Sequence, residues 1–236
     1  NITDQTSTTA NISAKALTAT ASASNKVYDG SSAATSTLTL SGFVGSETVT
    51  STNSSTFNNK NAGTGKTVTV NSITLADGSN GGLAANYSIS AGQTTTANVT
   101  AKALTVSGIT ASNKVYDSTT NATTVLSFSG LIGSETINNT NSSTFDNKNI
   151  GTGKTVTVNS LTLVDGSNGG LASNYSISSG QTTTANVSAR PLTVSNISAS
   201  NKSYDGTTAV TLDTSNVSYN GLVSGDDFSG SFSGVF

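Results

Sequence analysis

The sequence has no cysteine, methionine, tryptophan or histidine, a single proline, and only 9% charged residues among 236. Each shortage closes a class of function. Without Cys or His there is no zinc finger, disulfide framework, thiol nucleophile or His-based catalytic triad. The longest apolar runs are a few residues, so no membrane insertion is expected. A formal net charge of −2 leaves no basic footprint, and no nucleic-acid partner is expected. Leu, Glu, Lys and Arg are too sparse for a coiled coil, and the 23 glycines follow no triplet period. With no Met to initiate it, the chain is expected to be an interior fragment or a processed product, and no signal peptide is visible.

What fills the space is short and polar: 83 Ser and Thr and 26 Asn. Disordered chains combine low hydrophobicity with many charges and much Pro, and neither applies here. Val, Ile, Leu, Phe and Tyr instead alternate with polar residues between turn clusters. Branched and aromatic side chains suit a pleated surface. The composition describes an all-β protein whose wet faces carry hydroxyls and amides in place of Lys and Glu.

A repeat governs the chain. Asn25-Lys26-Val27-Tyr28-Asp29 returns as Asn113-Lys114-Val115-Tyr116-Asp117 and as Asn201-Lys202-Ser203-Tyr204-Asp205, 88 residues apart each time. Residues 25–100 align with 113–188 without a gap and differ at 20 of 76 positions. The expected organisation is 1–13 as the last strand of an upstream repeat, 14–100 as repeat 1, 101–188 as repeat 2 and 189–236 as a truncated repeat 3. Val44/Ile132, Val49/Ile137 and Ile73/Leu161 are swaps of the kind a packed core tolerates. Leu40 and Phe43 become Phe128 and Leu131, so the two positions are expected to share one pocket.

Strand parity carries finer detail. Val68 and Val70 are even and Ile73 and Leu75 odd, so a bulge or corner is expected at Asn71-Ser72. The same break separates Leu104 and Val106 from Ile109 and Ala111, which puts bulges near Gly108 and Asn196 and none near Thr20. Ser41-Gly42 and Asp77–Gly82 are turn segments, and Tyr87, like Tyr175, enters a strand just after a corner, similar to the tyrosine corner of immunoglobulin-like sandwiches. About seven short strands per repeat favour tandem immunoglobulin-like β-sandwiches forming an elongated rod. The alternative, a parallel β-helix, would impose a rung period absent within the 88 residues. Only Ala101-Lys102-Ala103 and Ala189-Arg190-Pro191 separate the repeats, roughly 10 Å of chain, too short for free tumbling. Each repeat is expected to add roughly 30–40 Å of length.

Lys26–Gly30, Lys60–Val68, Asn86–Ile89 and Thr96–Val106, repeated one unit on, resemble the YDG-type repeats, relatives of the MBG repeats, of large secreted bacterial adhesins of the filamentous-haemagglutinin kind. Ser118 departs from the pattern, standing where the others have Gly. The resemblance implies a surface-exposed stalk on a Gram-negative-like bacterium and supplies no catalytic site.

Lys26, Tyr28 and Asp29, with Lys114, Tyr116, Asp117, Lys202, Tyr204 and Asp205, could form a functional triad. The structural account has Tyr28 packing with its hydroxyl paired and Asp29 shaping the turn. Gly63-Thr64-Gly65-Lys66-Thr67 lacks both the spacing and the following helix of a phosphate loop. Calcium is the one cofactor to consider, at Asp77 and Asp165. Each is the only acid in its loop and calcium takes six to eight oxygens, so no cofactor is expected. Asp226-Asp227 is expected to be an exposed turn. A Lys–Asn isopeptide cross-link has ingredients in Lys26, Lys60, Lys66, Glu47 and Glu135, but no spacing singles out a trio. Sequons such as Asn53, Asn86, Asn98, Asn141 and Asn174 are what so much Asn, Ser and Thr produces by chance.

The expected role is a non-enzymatic structural stalk of a bacterial cell-surface adhesin, an extracellular filament holding an adhesive tip for attachment or biofilm formation. Its partners are neighbouring repeats of the same chain, with exopolysaccharide or a host surface engaged by other parts of the protein. Two alternatives stand: a lectin-like carbohydrate-binding module, which needs Tyr28 or Phe57 exposed, and a self-associating extracellular fibre subunit completed by strand addition.

Overall fold

The computed structural model describes residues 8–236, and almost all regular structure in it is β. Repeat 1 holds β1 (Lys15–Ala16), β2 (Thr18–Ala23), β3 (Lys26–Val27), β4 (Ala33–Ala34), β5 (Ser36–Ser41), β6 (Val49–Phe57), β7 (Gly63–Asp77), β8 (Tyr87–Ser88) and β9 (Thr94–Thr100). Repeat 2 follows with β10 (Lys102–Ala103), β11 (Thr105–Ala111), β12 (Lys114–Val115), β13 (Asn121–Ala122), β14 (Thr124–Ser129), β15 (Ile137–Phe145), β16 (Gly151–Asp165), β17 (Tyr175–Ser176) and β18 (Thr182–Ser188). Repeat 3 contributes β19 (Thr193–Ser195), β20 (Ser198–Ala199), β21 (Leu212–Asp213) and β22 (Ser218–Asn220).

In repeat 1 a five-stranded sheet runs β3-β9-β7-β6-β4, with β2 and β5 as an antiparallel ribbon and β1 alongside β8. Within the sheet β3 lies parallel to β9, and the other pairs are antiparallel. Repeat 2 has the same strand order, β12-β18-β16-β15-β13, with the ribbon β11-β14 and the pair β10-β17. Antiparallel ladders of this kind are not the stacked rungs of a β-helix.

The parity breaks appear as register shifts. Ser54 faces Ser72 but Ser55 faces Val70, which leaves Asn71 as the extra residue inside one continuous strand. β11 shifts between Val106 and Gly108, while β2 pairs with β5 without interruption. Asn196, with φ +63°, breaks the path between β19 and β20. The bulge lets one strand serve two clusters: Val68 and Val70 are fully buried on one side of it, while Leu75 packs beyond it. Leu40 and Phe43 do share a pocket, against Leu17, Val49 and Tyr87. In repeat 2, Phe145, Val156, Ala185 and Val187 of the sheet take Ala111 of the ribbon.

One expectation differs from what is found. Of residues 1–13, expected to form a strand, 1–7 lie outside the described residues; 8–13 carry no strand, and Ile12 is fully exposed. Their counterpart β9 is held between β3 and β7, and no such pair flanks them among the described residues. The compact units cut across the repeats. One takes the chain up to Leu104 with Gly130–Asn138 and Leu163–Ile177; the other takes Thr105–Ser129, Asn139–Thr162 and Ser178–Phe236. All of repeat 1 therefore shares a unit with one end of repeat 2.

On exposed strand faces, hydroxyls pair across the ladders: Thr18 with Ser41, Ser22 with Thr37 and Ser54 with Ser72, at 2.6 to 2.7 Å. Such cross-strand pairs add modest stability without charge. The Asp77–Gly82 loop is glycine-rich because it wraps Thr48. A Cβ on Gly78 or Gly82 would land on the Thr48 carbonyl oxygen, and Ser79 bonds Thr48 through both its N–H (2.9 Å) and its hydroxyl (2.7 Å). Gly82→Ala is expected to cost about 2–3 kcal/mol by overpacking. Gly65→Ala, at φ +59° with open space around it, should cost about 1 kcal/mol. Urea midpoints of the two variants test the ranking.

Candidate functional site

The recurring Lys-x-Tyr-Asp segment splits its side chains between two tasks. Lys26 Nζ donates to Asp29 Oδ1 (2.8 Å) and to the carbonyls of Ser31 (2.8 Å) and Ala33 (3.0 Å), and lies 5.6 Å from the centre of the Phe57 ring. Asp29 Oδ1 also accepts the Ser31 N–H at 2.9 Å. Lys114 with Asp117 and Lys202 with Asp205 repeat this arrangement. Lysine and the turn's own donors hold the Asp117 carboxyl down at about 2. This is turn architecture. The turn needs a left-handed residue after the Asp: Gly30 and Gly206 supply φ +79° and +76°, and Ser118 adopts +59° despite its side chain.

Tyr28 points the other way and is 1% exposed. Its hydroxyl donates at 2.7 Å to Glu135 Oε1, 107 residues on, in repeat 2. The same oxygen receives Lys60 Nζ at 2.9 Å, and Tyr175 donates to Glu135 Oε2 at 2.7 Å. The Tyr28 and Tyr175 rings meet edge to face with centroids 5.5 Å apart. Asn174, wholly buried, accepts the Ala62 N–H at 2.8 Å and donates to Asn61 Oδ1 at 3.2 Å. Gly30 also sits against Ile132, where a Cβ would come within 2.7 Å of the Ile Cγ2. The linker takes part as well: β10 pairs in parallel with β17, Lys102 opposite Tyr175. Within unit 1, repeat 1 is thus tied to the end of repeat 2 through one buried carboxylate.

Burial pushes Glu135 up, but the donors from Tyr28, Tyr175 and Lys60 outweigh it and the net shift is down. Burial and the Glu135 charge raise both phenols, Tyr175 to about 12.

The second unit contains the same joint in a looser form. Tyr116 donates to Asp226 Oδ1 at 3.1 Å, and Lys148 Nζ lies 3.7 Å from that oxygen. Asp226 occupies the place of Glu135, its N–H bonding the Val223 carbonyl as that of Glu135 bonds Ile132. The expectation of an exposed Asp226-Asp227 turn fits Asp227 and is corrected at Asp226, whose side chain is only 22% exposed because Tyr116 and Lys148 cover it. Beside it lies a cavity of about 380 Å³ lined by Tyr116, Ile150, Leu192, Asp226 and Phe228.

The remaining expected groups fall elsewhere. Tyr87 is buried, its hydroxyl accepting the Val44 N–H at 3.1 Å and donating to Glu47 Oε2 at 2.5 Å. A tyrosine corner would bond backbone a few residues upstream, whereas Val44 is 43 away. Asp77 and Asp165 each accept a backbone N–H, from Ala84 and Ala172 at 2.7 Å. Lys66 continues along β7 and bonds Asn59, and Lys154 sits between Asn147 (2.6 Å) and Asp146 (2.8 Å). Tyr204 is 98% exposed. Sequence reasoning missed Glu135 and Asn174 as joint residues. The available signal was that Glu47 and Glu135 are the only glutamates in the chain, 88 residues apart.

Serial all-β repeats, the first two presenting a Tyr and a Lys to an acid of the next, define a tandem β-repeat protein. The YDG domain family matches residues 13–97, 100–185 and 188–236, and the chain belongs to that family. No curated protein and no solved structure matches it.

Because the folded-state pKa of Glu135 is depressed, its contribution is full above the unfolded value near 4.5 and is lost as pH falls through the lowered one. Tyr175 is raised, so its contribution is full below 10 and is lost as pH climbs through about 12. Glu135→Gln should cost about 1.5–3 kcal/mol at pH 7 and flatten the acid limb of a plot of melting temperature against pH. In a phenol absorbance titration, Tyr175→Phe should remove a component near pH 12.

Proposed function

We propose that this chain is a structural spacer of a bacterial cell-surface adhesin, exported from the cell and carrying an adhesive tip away from its surface for attachment or biofilm formation. The observation that carries this reading is the joint at Glu135, where Tyr28 and Lys60 of one repeat and Tyr175 of the next converge on a single carboxylate. Donors on a buried acid hold the two repeats in one geometry, because losing any of them while the acid stays buried leaves a charge uncompensated. A joint of this kind transmits force and orientation, and the proposed role is mechanical. The likeness to adhesin repeats supports the extracellular, surface-attached part of this reading.

A lectin-like role has less support. It calls for an aromatic platform, and in repeat 1 Tyr28, Phe57 and Tyr87 are all buried. Hydroxyl-paired strand faces, neutral and solvated, suit a spacer that must stay soluble.

Small-angle scattering on chains of increasing repeat number tests the proposal. The maximum dimension should grow by one fixed increment, roughly 30–40 Å, per added repeat. It should be unchanged by chelator. Compaction on chelation, or growth that falls away as repeats are added, would overturn it.

A further inference from the structure

The surface around Glu47 in unit 1 repeats the Glu135 site feature by feature. Glu47, Tyr87, Asn86, Val44 and Leu83 stand 88 residues before Glu135, Tyr175, Asn174, Ile132 and Leu171. The internal geometry is the same. Tyr87 donates to Glu47 Oε2 and accepts the Val44 N–H (3.1 Å), as Tyr175 donates to Glu135 Oε2 and accepts the Ile132 N–H (3.0 Å). β1 pairs with β8 in the register of β10 with β17, Lys15 opposite Tyr87 as Lys102 is opposite Tyr175.

The difference lies in what arrives from the preceding repeat. Glu135 Oε1 receives Tyr28 and Lys60, whereas among the described residues Glu47 Oε1 receives no side-chain donor. Asn174 is wholly buried and Asn86 is exposed. Val44 and Leu83 are 52% and 51% exposed, while Ile132 and Leu171 are half-buried. The Tyr side of the joint varies in the same sense: Tyr28 is buried where it meets Glu135, and Tyr204 is exposed.

We propose that Glu47, Tyr87, Asn86, Val44 and Leu83 form a preorganised socket for the Tyr-and-Lys end of a preceding YDG repeat. A phenol in the place of Tyr28 and an ammonium in the place of Lys60 bind Glu47 Oε1, while the N–H matching that of Ala62 donates to the Asn86 side chain, which in turn donates to the side-chain oxygen matching Asn61 Oδ1. Charge and shape both select this occupant. The carboxylate offers one oxygen for two donors, and Val44 and Leu83 are exposed where Ile132 and Leu171 of the filled site are half-buried. The approach is covalent: Thr9–Ser13 matches Thr96–Thr100, and Ala14-Lys15-Ala16-Leu17 repeats Ala101-Lys102-Ala103-Leu104, the link that leads into the filled joint. Because the socket is already assembled, docking orders little and its entropic cost is small. The proposal rests on the serial-spacer reading and names what each repeat end recognises.

The chain has no cysteine, so one introduced thiol reports on the socket. Leu83→Cys is made in the chain as it stands and in an extended chain that places a second copy of residues 14–100 ahead of residues 14–236, with the thiol only in the later copy. Iodoacetamide should alkylate the thiol at least about tenfold more slowly in the extended chain. Glu47→Ala in that chain should restore the fast rate. Val44→Cys serves as an independent probe should Leu83→Cys perturb folding, which circular dichroism reports. Equal rates in the two chains overturn the socket. Protection in the unextended chain that grows with its concentration also overturns it, since the occupant would then be a second copy. Unprotected thiols in chains that still lengthen by a fixed increment would remove the socket and leave the spacer standing.

Discussion

The structure depends on one constraint: a carboxylate taken out of water must have each of its oxygens answered. Glu135 meets it with donors drawn from two repeats, and the consequences spread outward. Tyr28 must be buried at the end of its turn, so Lys26 and Asp29 hold that turn from the opposite side. Gly30 must lack a Cβ both for its backbone angle and for the approach of Ile132. The short link has to run beside Tyr175, which it does as strand β10. Replacing the acid with an apolar residue of the same volume could preserve stability, as such swaps often do elsewhere, but it would discard the pairing rule that tells one repeat end from any other surface.

The acid is also where the repeats differ. Asp226 is one methylene shorter than Glu135, and its hydroxyl and ammonium partners stand farther off, at 3.1 and 3.7 Å against 2.7 and 2.9 Å. A three-residue insertion in repeat 3 precedes it: Lys114 to Lys202 is a step of 88, whereas Glu135 to Asp226 is one of 91. The structure keeps the pairing across that shift, since Val194 faces Tyr219 as Val106 faces Phe128. Joints built on one plan can therefore differ in strength without any change in the strands that support them.

Much of the fold was legible because it is local. A period of two betrays its own interruptions, so Asn71 and Gly108 could be placed as bulges from parity alone. Compensating volumes at Leu40 and Phe43 revealed their shared pocket. The joint was not legible in the same way. Tyr28 and Glu135 are separated by 107 residues, and nothing in either neighbourhood encodes the other. Asp226-Asp227 looked like an acidic turn because its counterpart is a Glu three positions out of phase with the 88-residue repeat. The segment 8–13 reads as strand from its match to β9, yet strand formation is a property of neighbours as much as of the segment.

Neighbouring repeats that agree at most of their positions face a hazard common to such arrays: during folding, a strand of one copy can pair with the wrong copy. The outer strands of the five-stranded sheet, β3 and β4, are two residues long, and β3 carries Lys26 folded back into its own turn. A rim that short gives a stray strand almost no ladder to extend, which discourages swapping between copies and sideways clumping between molecules. Uniformity along the chain is thereby kept compatible with each copy closing on itself.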